Sequence, residues 1–300
     1  MTVALVAVTA LTGCSSHPDK PRPAPPAVRS SAPTAPAVDA AALRADLVTL
    51  ESRYGARIGV QVVDTATGAT FGYRASERFA LDSTSKVLTS AAVLRDATDA
   101  QLGTVIHYDA SDLQSYSPVT SQHVDDGMTL SSVIAAALQY SDNTAANLLF
   151  ERLGGPASAQ ARVRDWGDDV STLDRLEPDL NSAVPGDPRD TTTPAQMATD
   201  LRMLALGDTL PAPRRALLVD TMLGNTTGAS YIRAGVPATW RVADKTGNGG
   251  YGSRNDVAVL YPPGDKPIVL AIYTTRKTEG ASSDDDLIAA ITKDVVAALA

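Results

Sequence analysis

The 300-residue sequence predicts an α/β body with an all-α body inserted in it: an antiparallel sheet flanked by N- and C-terminal helices, a helical insert, and a cleft between the two. Two observations carry this expectation. Strand-forming runs stand near both ends of the chain, and the segments between them follow helical spacing. Ala40 to Tyr54 sets Leu43, Leu47 and Leu50 on one face with charges between them, an amphipathic helix. Arg57 to Asp64 and Thr70 to Tyr73 are rich in strand formers and are joined by Thr65-Ala66-Thr67-Gly68, so they read as a hairpin. Val257 to Leu260 and Ile268 to Tyr273 also read as strands, and Asp284 to Leu299 as a closing helix. Between them lie the helical patterns Lys86 to Leu94, Leu130 to Gln139, Thr144 to Leu153 and, after Thr191-Thr192-Thr193, Pro194 to Leu206. The expected division is residues 39–81 with 224–300 as the α/β domain and 82–223 as the all-α domain.

Composition removes several classes of function. A hydrophobic content of 44% argues for a sizeable core, and a net charge of -8 without any basic run argues against a nucleic-acid partner. Three histidines (His17, His107, His123) and one cysteine (Cys14) cannot supply a His- or Cys-rich zinc site. No serine sits in a G-x-S-x-G elbow, and His107 and His123 read as surface or half-buried residues without triad partners. A single cysteine also forbids an intramolecular disulfide.

The first residues read as an address. Thr2 to Leu11 is apolar but too short to span a bilayer, which predicts a signal peptide over 1–13. Leu11-Thr12-Gly13-Cys14 resembles the lipobox of bacterial lipoproteins and would make Cys14 the lipid attachment point; the alternative is an ordinary secretion signal with an incidental thiol. From residue 14 to 38 the Pro/Ala/Ser-rich composition predicts a disordered tether. The expected protein is exported, either held at the outer face of the cell membrane by lipid or secreted, and monomeric.

Ser83-Thr84-Ser85-Lys86 stands just before the apolar stretch Val87 to Leu94, so Lys86 should follow Ser83 by one helical turn on the same face. A lysine desolvated among apolar neighbours has a depressed pKa and can take the serine proton. The helix N-terminus favours developing negative charge. Alone, the pattern also describes a helix cap beside a solvated lysine, since it arises by chance about once per few hundred residues. Ser141-Asp142-Asn143 offers a hydroxyl and an amide on a loop between helical runs, and Lys245-Thr246-Gly247 sets a cation and a hydroxyl before a glycine. Singly, each triplet reads as a cap or a turn; in the order S-x-x-K, S-D-N, K-T-G they acquire a joint meaning.

With these three elements the sequence resembles the penicillin-recognising serine hydrolases, which include peptidoglycan peptidases and serine β-lactamases. Glu177-Pro178-Asp179-Leu180-Asn181 matches the E-x-x-L-N pattern of the class A β-lactamases, in which Glu and Asn hold the hydrolytic water. Arg175 and Asp190 fall where that family closes the loop over 175–190 with an ion pair. Tyr116-Ser117-Pro118-Val119 resembles the segment whose tyrosine walls the cleft, and Asn225-Thr226-Thr227-Gly228 and Arg254 match positions near the substrate carboxylate. The likeness spans roughly Ala40 to Leu299.

The resemblance implies a reaction that requires no metal or organic cofactor and takes a small-molecule β-lactam as its partner. Ser83 would be the nucleophile, Lys86 or Glu177 through water would take its proton, and Ser141 with Lys245 would protonate the leaving nitrogen. Backbone N–H groups of Ser83 and Asn248 would form the oxyanion hole. Asn143 would bind the substrate's side-chain amide, Thr246 and Arg254 its carboxylate, with Tyr116, Asn181 and Gly247 lining the cleft. Two readings compete with the hydrolase: a D-alanyl-D-alanine peptidase, which needs no Glu177 loop, and a non-catalytic β-lactam sensor. Asp82 and Gly249 stand where some carbapenem-hydrolysing relatives carry a disulfide that this chain cannot form.

Overall fold

A computed structural model of the chain describes residues 39–299 and, ahead of them, Thr2 and Thr9 alone. Apart from those two threonines, the expected signal peptide and tether, with Cys14, lie outside the described residues. Helix α1 (Ala40–Tyr54) starts on Asp39, whose Oδ1 accepts the Ala42 N–H at 3.0 Å, and stops at Gly55, left-handed at φ 58°. Strands β1 (Arg57–Asp64) and β2 (Thr70–Tyr73) pair antiparallel, as the hairpin pattern predicts. The helical part holds α2 (Ser85–Asp96), α3 (Leu130–Gln139), α4 (Asn143–Leu153), α5 (Pro156–Arg164), α6 (Pro194–Ala205) and α7 (Ala212–Leu223). Strands β3 (Arg241–Asn248), β4 (Arg254–Tyr261) and β5 (Ile268–Thr275) and helix α8 (Asp285–Leu299) complete the chain.

The sheet has the order β2-β1-β5-β4-β3, antiparallel throughout, so the hairpin near the N-terminus joins the C-terminal strands through β5. Side chains alternate between its faces. Ile268, Leu270 and Ile272 of β5 pack with Leu43 and Leu47 of α1 and Leu287, Ile291 and Val295 of α8. Val269, Ala271 and Tyr273 of the same strand face the other way, toward the core built by the helices. Burial on both faces explains the uninterrupted run Ile268-Val269-Leu270-Ala271-Ile272-Tyr273. Gly59 of β1 is small for a packing reason: a Cβ there would lie 2.5 Å from the Phe79 ring and 2.9 Å from Pro194, the first residue of α6.

Three elements were hidden from periodicity. Strand β3 reads as a charged, turn-like stretch, yet it pairs with β4 along its whole length, with Lys245 opposite Val257. Alternation places Lys245 on the same face as Ala243, which belongs to the helix-side core. Helices α5 and α7 begin with Pro-Ala and Ala-Pro; α5 buries little beyond Ala159 and Val163, and α7 carries Arg214-Arg215 ahead of its buried Leu218 and Met222.

Candidate active site

Three connections converge at the edge of the sheet. Ser83 sits in a single 3-10 turn, Asp82–Thr84, immediately ahead of α2 rather than on its first turn. Lys86, on the first turn of α2, is 1% exposed, and its Nζ donates to Ser83 Oγ at 2.6 Å and to Asn143 Oδ1 at 2.9 Å. The same ammonium is ion-paired with the Glu177 carboxylate, itself buried. The other oxygen of Glu177 accepts from Asn181 Nδ2. A hydroxyl, an ammonium and a carboxylate thus stand in one chain of contacts, although Lys86 and Glu177 are 91 positions apart.

Burial lowers the Lys86 pKa, against the opposing charge of Glu177 and, further off, Asp142 and Asp82. Lys245 is also wholly buried, and its Nζ donates to Ser141 Oγ at 3.0 Å and to the Thr246 carbonyl at 2.8 Å. Burial first, then the like charge of Lys86, bring its pKa down to about 7. Both lysines therefore hold their proton less tightly than an exposed lysine, the condition for moving protons to and from Ser83 and Ser141.

The S-D-N triplet does more than present a hydroxyl and an amide. Asp142 caps α4 by accepting the Ala145 N–H at 2.9 Å, and it also accepts the N–H groups of Val119 and Thr120 and the Thr120 hydroxyl at 2.8–3.0 Å. It ties the Tyr116–Val119 segment to the helix. Tyr116 is 62% exposed, so it is no core tyrosine. Asn143 is anchored through Nδ2 to the Ser115 carbonyl at 2.8 Å and through Oδ1 to Lys86. Asp82, Tyr116, Ser141 and Asp190 all adopt a left-handed φ, between 47° and 61°, which concentrates backbone strain around the site.

The segment 175–190 is closed as its two charges suggest. Arg175 Nε donates to Asp190 Oδ2 at 2.6 Å, while Asp190 Oδ1 accepts the N–H groups of Asp174 and Arg175 at 2.7 and 3.0 Å. Asn147 of α4, which no motif singled out, clamps Glu177 from both sides: the Glu177 N–H donates to Asn147 Oδ1 at 2.9 Å, and Asn147 Nδ2 donates to the Glu177 carbonyl at 3.0 Å. Its position one helical turn after Asn143 was the only available signal.

At the far end, Thr246 Oγ1 lies 2.6 Å from Thr227 Oγ1, and Arg254 Nε donates to Asp285 Oδ1 at 3.0 Å. Asn248 is exposed, with its side-chain oxygen accepting from the Tyr231 hydroxyl at 2.6 Å. Asn225 turns away from solvent and donates to Asp244 at 2.7 Å. Gly247 is closely packed, since a Cβ would meet the Leu81 carbonyl and Thr84 at 3.1 Å. His107 and His123 are exposed and take no part. A cavity of about 1010 Å³ opens beside the same loop near Val184 and Arg57, and Ser83 is not among the residues that line it.

Residues 42–299 match the sequence profile of the Beta-lactamase enzyme family. A β-lactamase of Bacillus amyloliquefaciens is 50% identical over 246 residues, 82% of this chain and 80% of its own length. Beta-lactamase CTX-M-8 of Citrobacter amalonaticus is 50% identical over 83% of this chain and 86% of its own. Among solved structures, a β-lactamase from Desulfarculus baarsii superposes with a TM-score of 0.84 at 49% identity, covering 86% of this chain and 97% of that one. An ancestral (GNCA) class A β-lactamase superposes with a TM-score of 0.82 at 52% identity, covering 85% and 99%.

Proposed function

The chain belongs to class A of the β-lactamase enzyme family and is a serine hydrolase of the β-lactam ring; we propose that it works through an acyl-enzyme on Ser83, cleared by water that Glu177 activates. The observation that carries this reading is the buried sequence of contacts from Ser83 Oγ through Lys86 Nζ to Glu177 and Asn181. Ser83 attacks the lactam carbonyl as its proton passes to Lys86, or to Glu177 through water. Charge on the carbonyl oxygen is taken up by the backbone N–H groups of Ser83 and Asn248. Ser141, bonded to Lys245, delivers a proton to the departing nitrogen, so ring opening leaves an ester on Ser83 and a neutral amine. Glu177 then takes a proton from water held with Asn181, the hydroxide equivalent attacks the ester, and the bond from the acyl carbon to Ser83 Oγ breaks as that proton returns to the serine. Asn143 bonds the substrate's amide, Thr246 with Arg254 its carboxylate, and Tyr116 walls the cleft.

Glu177 is the group that distinguishes turnover from trapping. Glu177→Ala is expected to accumulate one acyl group per chain, visible as a stable mass increment on the intact protein, while a chromogenic cephalosporin is turned over by the parent across many equivalents. Parent turnover that persists unchanged in the variant removes Glu177 from the mechanism. A stable adduct on the parent itself would instead indicate a peptidase or a sensor.

Two inferences extend the reading. The domain division at 81/82 and 223/224 is supported by the core between α1, α8 and the sheet, whose residues all come from 39–81 and 224–300. Export with acylation at Cys14, and resistance of the host cell to β-lactam antibiotics, follow from the lipobox resemblance and the activity together.

A further inference from the structure

We propose that Asp82 is a positioning residue that limits the pH range of acylation: it serves as a neutral acid behind the nucleophile, and its ionisation opposes the charge that builds at Ser83. The proposal rests on the hydrolase reading and concerns a residue that reading does not use.

Asp82 directly precedes Ser83, is completely buried, and is held at a left-handed φ of 47°. Its Oδ2 accepts from Ser253 Oγ at 2.6 Å and from Asn255 Nδ2 at 2.9 Å, so that oxygen acts as an acceptor in either protonation state. Oδ1 is buried with no hydrogen-bond partner among the described residues. It packs against Gly249, where a Cβ would run into it and would lie 2.6 Å from the Asn181 carbonyl. A carboxylate with one oxygen buried and unpartnered is strongly disfavoured, whereas a carboxylic acid protonated on Oδ1 carries no charge to desolvate.

The charged and titratable groups around it belong to four elements: Lys86 of α2, Glu177 of the loop, Arg254 of β4 and Tyr273 of β5. Burial pushes the Asp82 carboxyl up to about 7, with Glu177 adding to the rise and Ser253, Arg254 and Asn255 opposing it. The acid is thus neutral below pH 7 and ionised above.

Ionisation acts on acylation twice, in the same direction. A negative charge one residue from Ser83 repels the oxyanion forming beside the Ser83 N–H, in a buried setting where charges are poorly screened. It also favours the protonated form of Lys86, which then accepts the Ser83 proton less readily.

The test is the ratio of acylation rates, Asp82→Asn over parent, measured from pH 5.5 to 9 by single-turnover kinetics with intact-mass detection. Taking the ratio isolates the step that depends on Asp82 from pH effects that the two proteins share. It is expected to rise about fivefold or more through pH 7 and to level off on either side. Asp82→Ser carries the same comparison should the asparagine fail to fold. A ratio independent of pH, or a ¹³C carboxyl resonance of Asp82 that titrates near the ordinary value of about 4, overturns the proposal. A parent that acylates without turning over sinks the hydrolase reading and leaves the ratio to decide the role of Asp82; a parent that does neither sinks both.

Discussion

At Lys245 the demands of chemistry and of stability pull apart. Its ammonium is completely buried with two neutral acceptors and a second lysine nearby, so its folded pKa stands at about 7 against an ordinary value of 10.5. Between those values the folded protein binds fewer protons than the unfolded chain, and stability rises with pH across that window. Below pH 7 the full cost of the buried charge is present. Lys245→Met, which keeps the volume and removes the charge, is therefore expected to raise Tm most at pH 6 and least near pH 10, while kcat/KM falls by about 100-fold or more. Thermal melts at the two pH values, with steady-state kinetics, check both halves; a variant destabilised at pH 6 contradicts the argument. Asn147 teaches a different lesson at this scale, since it fixes Glu177 through backbone groups alone and leaves no chemical signature in its own segment.

The loop 175–190 carries Glu177, the residue to which we assign deacylation, and its geometry rests largely on one carboxylate. Asp190 is 1% exposed and accepts from the Arg175 guanidinium and from two backbone N–H groups. Asp190→Ala strands a partly buried guanidinium and two donors, a loss on the order of 3–5 kcal/mol. Faster amide hydrogen exchange confined to 175–190 is expected, together with slowed deacylation and a nearly unchanged acylation burst. Exchange spread evenly over the chain would mean instead that Asp190 supports the whole fold. The ends of this loop were legible as two opposite charges flanking E-x-x-L-N. Strand β3 was not, because its residues look strand-like only once β4 lies beside it. The amphipathic helices were read nearly to the residue, since α1 and α3 carry their own periodicity.

For the molecule as a whole, the sheet is the member that both cores share. β4 and β5 each give alternate residues to the two clusters, so unfolding of the sheet would open both cores together. The cleft residues hang on connections at that sheet's edge, and a rigid sheet keeps them in register. The proposed acylation at Cys14 predicts retention at the membrane. Cys14→Ala is expected to move the enzyme from the membrane fraction of an expressing cell into the soluble exported fraction, read by nitrocefin activity in each. An unchanged distribution removes Cys14 as the anchor.

What the sequence determined by itself are the features with a local rule: strand and helix periods, caps, and the residue types of S-x-x-K, S-D-N, K-T-G and E-x-x-L-N. Outside the loop 175–190 and the catalytic motifs, the tertiary structure alone decided which charges meet. Arg254 pairs with Asp285, Arg233 with Asp244, and Arg214 with Asp99. Periodicity reaches three or four positions along the chain, whereas these meetings are made by the packing of separate elements, and no local pattern encodes a partner so far away.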